Sequence, residues 1–471
     1  MKKVFRVLAC LFISVTLALP ALAQETQRDL DYMRDQERRE RGVAKSAKKA
    51  QERKTVEEAK KLSYQDILSQ PDDIQLNYQY AREQIAGNDL LGAAATLERI
   101  LLINPDLHQI RLLYGVILYR LDDLMEAQQV LEVLKDAELP AQSREELNTY
   151  LKIIKRKKRK TRFGLRETLG YGYDSNRNAS PSSKERLVND TAVDVLPADR
   201  RRGDSHFLNM TSLDVAQNLG FAAGHELIGS FTYYLQEQQH VNNLSLGSFQ
   251  YMFGGVYKSR WFNFTPTFDA SNVFLSHDNF LNTQAGNFQF DKNLFGKLDV
   301  FFTTRVERQD FKNISENNNN ANRRGVLTTL DWGASYMLSP TMRVSADIGS
   351  GYKTAKQKAN AYTAFFMRTA HTWLLGKGQF LINAIRFEND RYWGIDGTIA
   401  GRHRHDNLLN YQVTYGAPLS FFFFGSKYLP KPVKDVTFSV SYEYFHSVSS
   451  ITNYSYVNNQ YQGLFTKRWE F

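Results

Sequence analysis

The 471-residue chain has a single cysteine, Cys10, and only 11 prolines. Cys10 lies inside an N-terminal apolar run, so the rest of the chain has no thiol for a disulfide framework or a Cys-based metal site. Long apolar runs are missing too. Beyond the N-terminus no stretch approaches the roughly 18 residues of a spanning helix, which excludes a polytopic helical membrane protein. A Gly-rich phosphate loop following a strand is absent, and no catalytic constellation can be assembled, so no enzyme activity, cofactor or metal is expected. Aromatics, by contrast, are abundant. The 31 Phe, 25 Tyr and 5 Trp exclude a chain disordered throughout. The mean hydropathy of −0.46 taken alone suggests a soluble protein. A chain this long is expected to split into domains, because single cores stop growing at about 250–300 residues.

Residues 1–23 read as a secretory signal peptide. Lys2, Lys3 and Arg6 precede the apolar stretch Val7 to Leu19, and Ala21-Leu22-Ala23 forms the small-residue cleavage site, so the mature chain is expected to begin at Gln24. The net charge of +10 is unevenly placed. Residues 63–151 hold 6 Lys/Arg against 15 Asp/Glu, whereas 152–162 hold 8 Lys/Arg and no acid. The positive balance therefore gives no support for nucleic-acid binding. Residues 24–62 are dense in charge, poor in large apolar residues and read as a charged spacer.

Residues 63–151 carry an internal repeat. Pro71-Asp72 and Pro105-Asp106 lie 34 residues apart, and Pro140 follows 35 later. Thirty-four is the tetratricopeptide period. The same spacing aligns Ala93 with Ala127, Leu97 with Leu131, Tyr80 with Tyr114 and Ala81 with Gly115. An α-solenoid with a concave protein-binding face is expected, capped by a helix over 142–155. Tyr78, Arg82, Tyr119 and Arg120 are the candidate client-binding residues of that face, and the acidic module favours a basic client segment. Residues 152–162 form a basic hinge. Its Lys155, Arg156, Lys157, Lys158, Arg159 and Lys160 suit either solvent or anionic headgroups of a bilayer.

From Phe163 the periodicity changes to two. In Lys297 to Arg308, Leu298, Val300, Phe302, Thr304 and Val306 alternate with Lys297, Asp299, Phe301, Thr303, Arg305 and Glu307. Met342 to Gly349 and Val436 to Tyr444 do the same. Apolar-out, polar-in alternation is the dyad pattern of a transmembrane antiparallel β-barrel, and it explains the low hydropathy. About 14 strands are expected over 163–471, starting with 163–173, 205–218 and 224–237. Connections alternate between long polar loops, such as 174–204, 311–323 and 392–403, and tight turns. That alternation places the chain in a Gram-negative outer membrane, with residues 24–162 in the periplasm. A terminal aromatic, Phe471, with Trp469 on the same face, suits recognition by barrel-assembly machinery, although Lys467 interrupts the aromatic row. Residues 417–434 break the alternation, being long where a turn is expected and carrying Phe421 to Phe424. They read as an interface belt, a misplaced strand boundary, or a functional element beside the solenoid.

Two smaller constellations stand out. Arg402-His403-Arg404-His405-Asp406 would place two imidazoles on one strand face. Asp174-Ser175-Asn176 suits an Asx-type turn better than a cation site.

A signal peptide, a tetratricopeptide module and a barrel opened by Gly170-Tyr171-Gly172-Tyr173-Asp174-Ser175-Asn176 together resemble the Slam family of surface lipoprotein assembly modifiers, over residues 60–471. The resemblance implies an outer-membrane translocon. Its client would be an exported protein, either a surface lipoprotein or a soluble haemophore-like relative that scavenges haem or iron. The alternatives are a small-solute outer-membrane channel and a host-interaction or adhesin barrel acting through its loops.

Overall fold

The computed structural model describes residues 72–471 except 88, 122, 158, 222, 223, 316, 424–429, 431, 432 and 434, together with 67 and 70. The expected signal peptide, with Cys10, and the spacer 24–62 lie outside the described residues, as does Phe424. The chain divides between Lys160 and Thr161 into two compact units.

The helical unit contains α1 (Ile74–Ala86), α2 (Leu90–Ile103), α3 (His108–Arg120), α4 (Leu124–Glu132) and α5 (Ala141–Lys157). The 34-residue spacing is realised element by element. α1 and α3 begin 34 residues apart, as do α2 and α4. Asp89 and Asp123 occupy equivalent N-caps, each carboxylate accepting from the backbone N–H three residues on, at 3.0 and 3.1 Å. Asp73 caps α1 by accepting from Gln75 and Leu76. Ala81, Ala93, Leu97, Ala127 and Leu131 are fully buried. Small residues are needed where the helices cross: a Cβ on Gly115 would stand 2.5 Å from Leu131 Cδ2.

The helix expected over 142–155 runs to Lys157, so half of the expected hinge is helical, and its last two residues, Thr161 and Arg162, already belong to a strand. Its Ile154 and Tyr150 pack into the same core as α3 and α4, which holds the helix beyond the start of the basic run.

The second unit is a closed barrel of fourteen antiparallel strands. The first is β1 (Thr161–Asp174), and the loop after it carries a small hairpin of β2 (Glu185–Val188) with β3 (Thr191–Asp194), which stands outside the barrel sheet. The barrel resumes with β4 (Asp204–Asn218), β5 (Glu226–Gln238), β6 (Leu246–Lys258), β7 (Asn263–Leu275), β8 (Asp278–Leu294) and β9 (Leu298–Phe311). It continues as β10 (Gly325–Ser339), β11 (Met342–Lys353), β12 (Tyr362–Gly376), β13 (Gln379–Tyr392), β14 (His405–Pro418), β15 (Thr437–Ser449) and β16 (Tyr456–Glu470). Each barrel strand pairs with the next along the chain, and β1 closes on β16 from Gly164 opposite Glu470 to Asp174 opposite Gln460. Closure removes both sheet edges, which a bilayer requires.

The side-chain alternation follows the expected faces. Large apolar residues such as Phe207, Leu213, Phe253, Trp332 and Phe365 are exposed on the outside. Between β14 and β15, α6 (Leu419–Phe422) opens the connection, and Phe422 packs edge-on against outward-facing Phe438 at 5.9 Å. Phe438 in turn contacts Phe465 at 4.9 Å. Phe421, Phe422 and Phe423 are exposed, so they extend the external aromatic belt at the short-turn rim, one of the readings the sequence offered.

The two rims differ as expected, with one exception. Ser276 and His277 make a two-residue turn on the long-loop side, with φ of 48° and 75°. That turn is a tight primed hairpin rather than a long loop.

Candidate functional site

The strand alternation turns a polar set of side chains into the lumen. On β9 to β13 these are arginines paired with carboxylates. Arg305 donates to Glu307 at 2.7 Å and to Asp269 across β8. Arg368 bridges Asp347 and Asp331, at 2.6 and 3.0 Å. Arg386 donates to Glu388 at 2.7 Å. The Phe366 ring lies between the Arg368 and Arg386 guanidiniums, 5.5 and 5.2 Å from its centroid.

The remaining wall is mostly hydroxyl and amide. Thr168 meets Thr466 at 3.0 Å, Ser212 meets Thr232 at 3.1 Å, and Thr414 donates to Ser441 at 3.0 Å. Glu443 is a buried carboxylate of this wall and accepts from Asn410 at 2.7 Å. Such a lining offers water and polar solutes hydrogen bonds along its length, while its paired charges largely neutralise one another.

The lumen is closed at the long-loop rim. Inward-facing residues there, including Asp174, His206, Gln236, Leu246 and Asp406, are buried, whereas near the short turns Arg162, Ala216 and Ile228 are half-exposed and a local cluster of Leu374, Phe380 and Ile382 is buried. Four loops, 175–203, 239–245, 393–404 and 450–455, make the closure. Leu187 N–H donates to Asn453 Oδ1 at 2.6 Å, and Asn453 Nδ2 donates back to the Leu187 carbonyl at 3.0 Å. Asp190 Oδ2 accepts from Gly401 N–H at 2.7 Å, and Arg177 Nη2 donates to the Leu244 carbonyl at 2.6 Å. Leu187, Ile399, Ala400, Ile451 and Tyr454 form the apolar centre of this lid. Beside it, Leu246, Val273, Leu275, Phe280, Phe311 and Ile314 fill the lumen side of β6 to β9.

The Asp174-Ser175-Asn176 stretch anchors the lid. Asp174 is fully buried, its carboxylate accepting from Asn458 at 3.1 Å and lying 3.3 Å from His206 Nδ1. Asn176 Oδ1 accepts from Ser180 N–H, four residues on, at 3.0 Å, so it ties the loop locally but does not form the two-residue Asx turn the sequence favoured. The two imidazoles do not share a strand face. His403 lies in the loop before β14, its Nδ1 3.2 Å from the Tyr392 carbonyl, and His405 opens the strand facing outward. Arg404 between them turns inward onto Asp406 and is flanked by the Tyr392 and Tyr454 rings.

In the helical unit, Arg82 stacks over the Tyr78 ring at 5.8 Å, and both are half-buried. Tyr119 is corrected to a core residue. It is 2% exposed and meets Tyr150 of α5 edge-on at 5.4 Å, so its ring is not offered to a client. Arg120 beside it is half-buried. Of the basic run, Lys155, Arg159 and Lys160 are exposed, and Arg156 and Lys157 close α5; the side chains of Arg156, Lys157 and Lys158 lie outside the described residues. In this unit burial pushes the Tyr150 hydroxyl up to about 12. The Tyr114 hydroxyl is raised further by burial and by its bond to Glu126, 2.9 Å away.

The fold and its lining define a transmembrane β-barrel of the outer-membrane kind. No family model and no curated protein sequence matches the chain. Among solved structures, the barrel is similar to OccAB3 of Acinetobacter baumannii at 10% identity, covering 66% of this chain and 99% of that one, with a TM-score of 0.32. It is also similar to OpdQ of Pseudomonas aeruginosa at 7% identity, covering 66% and 98%, with a TM-score of 0.33. A loop-deletion form of OmpT, an outer-membrane protein of Vibrio cholerae, matches at 10% identity, covering 66% and 100%, with a TM-score of 0.34. Likeness at this level says nothing about what the lumen carries.

Proposed function

We propose that the protein is a lid-gated passage across the Gram-negative outer membrane. One observation carries the reading: a lumen lined mostly by paired charges and hydroxyls is covered at the long-loop rim by interlocked loops, with apolar packing beside them over β6 to β9. The barrel on its own suits small polar solutes. Its mid-lumen Arg–carboxylate pairs leave no continuous apolar path, and the hydroxyl wall offers weak, repeated hydrogen bonds. Reconstituted into liposomes, the protein should admit sugars or amino acids when the lid is breached by replacing residues 178–202, within its longest loop, with a short Gly-Ser turn. Equal impermeability of both forms would contradict a passage.

A protein translocon is the second reading, favoured by the 34-residue recurrence of capped helix pairs in the N-terminal unit. Read as a tetratricopeptide-like solenoid placed in the periplasm, that unit would present an exported client to the barrel, in keeping with the resemblance to the Slam family. Protease shaving of intact cells co-expressing a surface lipoprotein tests it. Display that depends on residues 63–151 supports the translocon, and display unchanged by their deletion removes it.

A further inference from the structure

The outer wall holds a cavity that passage through the lumen does not use. It is a groove of about 470 Å³ between β12 and β13, near the long-loop rim. Phe365 and Phe387 form its lower part, with Phe365 half exposed. Thr363, Asn389 and Arg391 form its upper part, and Thr363 lies directly opposite Arg391. Asn389 is held in place by donating to Asn407 at 2.7 Å. Arg391 is exposed, and among the described residues its guanidinium makes no hydrogen bond or ion pair.

The groove is therefore divided by depth. Its apolar part faces the acyl region, and its cationic, hydrogen-bonding part sits at headgroup height. Aromatic girdle positions at this level carry rings that sit at the interface. Adjacent Tyr352 and Trp393, with ring centroids 4.7 Å apart, show that pattern. A lone guanidinium above exposed phenyl rings matches an anionic amphiphile instead, because a guanidinium pairs with phosphate through two parallel hydrogen bonds.

We propose that this groove binds a phosphorylated, acylated glycolipid of the outer leaflet. One acyl chain lies along Phe365 and Phe387, and one phosphate pairs with Arg391. Thr363 and Asn389 hydrogen-bond the sugar. The long-loop position selects the outer leaflet over glycerophospholipids of the inner one.

The test is native mass spectrometry of the full-length protein in detergent, titrated separately with bis-phosphorylated lipid A, with dephosphorylated lipid A and with phosphatidylglycerol. Wild type should retain the phosphorylated lipid A at about tenfold lower concentration than Arg391→Ala, the loss expected for one charge-assisted pair. Arg391→Lys should recover part of the difference. Arg308→Ala, which removes an outward rim arginine on β9 away from the groove, should bind as wild type does. Heat-modifiable migration on gels establishes that each variant is folded. Equal binding by wild type and Arg391→Ala would overturn the proposal. An equal loss in Arg308→Ala would do so too, since general rim charge would then suffice. Retention of phosphatidylglycerol or dephosphorylated lipid A as strong as that of the phosphorylated form would overturn the glycolipid assignment.

Discussion

Glu167 stands directly opposite Lys467 where the first barrel strand meets the last, and the alternation turns both toward lipid. The Glu167 carboxylate accepts from Asn209 and Thr211 on the other neighbouring strand, each at 2.6 Å. Leu165 and Leu169 on β1, and Trp469 and Phe465 on β16, frame this polar island. Lys467 thus interrupts the C-terminal aromatic row at the position facing the one carboxylate of the seam's outer face.

Removing Glu167 should cost stability through the donors it leaves behind. Glu167→Leu strands Asn209 and Thr211 in the apolar belt, with an expected loss of about 1–3 kcal/mol. Adding Lys467→Leu should recover part of that loss, because a lysine facing lipid is itself unfavourable. Urea unfolding in detergent micelles measures both. Strictly additive losses would show that the two residues are independent.

The lumen's charge balance rests on pairs, so breaking one should change ion preference. Arg368→Met leaves Asp331 and Asp347 without their shared partner. In a barrel with the lid shortened the reversal potential under a salt gradient should move toward cation selectivity. No movement would mean that ions do not pass this layer.

The helical unit should reject a methyl group at Gly115. Alanine normally gains about 1 kcal/mol over glycine inside a helix. Here its Cβ would meet Leu131, which is fully buried and has little room to move. Gly115→Ala is therefore expected to destabilise, by about 1–3 kcal/mol. Limited proteolysis of the full chain, read within residues 72–157, checks the sign. Slower cleavage would contradict it.

Alkaline pH should weaken the same unit. Tyr150 is raised to about 12 by burial, while an unfolded tyrosine ionises near about 10. Between these values the unfolded chain holds fewer protons, so stability falls as pH rises from about 10 to about 12, and below about 10 this residue adds no slope. Helical circular dichroism should fall in that window, and Tyr150→Phe should flatten the fall. An identical profile in wild type and variant would place the titration elsewhere.

Strand positions were largely legible, because lipid on one side and a polar lumen on the other impose alternation residue by residue. The stretch expected at 205–218 forms Asp204–Asn218, and 224–237 forms Glu226–Gln238. The helical period was legible for the same reason: Asp89 and Asp123, and Ala93 and Ala127, recur because each pair does the same local job. What escaped depends on distant partners. Tyr119 looked like a groove residue until α5 folded over it. The hairpin β2–β3 and the lid exist because Leu187 meets Asn453, 266 positions away. The Ser276–His277 turn carries none of the Gly, Asn or Asp residues that usually announce a left-handed pair. The pairing of Glu167 with Lys467 follows only from closure of the first strand on the last.

The most direct test of the passage is planar-bilayer conductance of the full-length protein beside the form in which a short Gly-Ser turn replaces residues 178–202. The expected result is a quiet wild type and steady ohmic current from the shortened-lid form, since the interlocked loops cover the polar lumen. Equal conductance of the two forms would deny the lid its role, and silence from both would deny that the lumen is a passage at all.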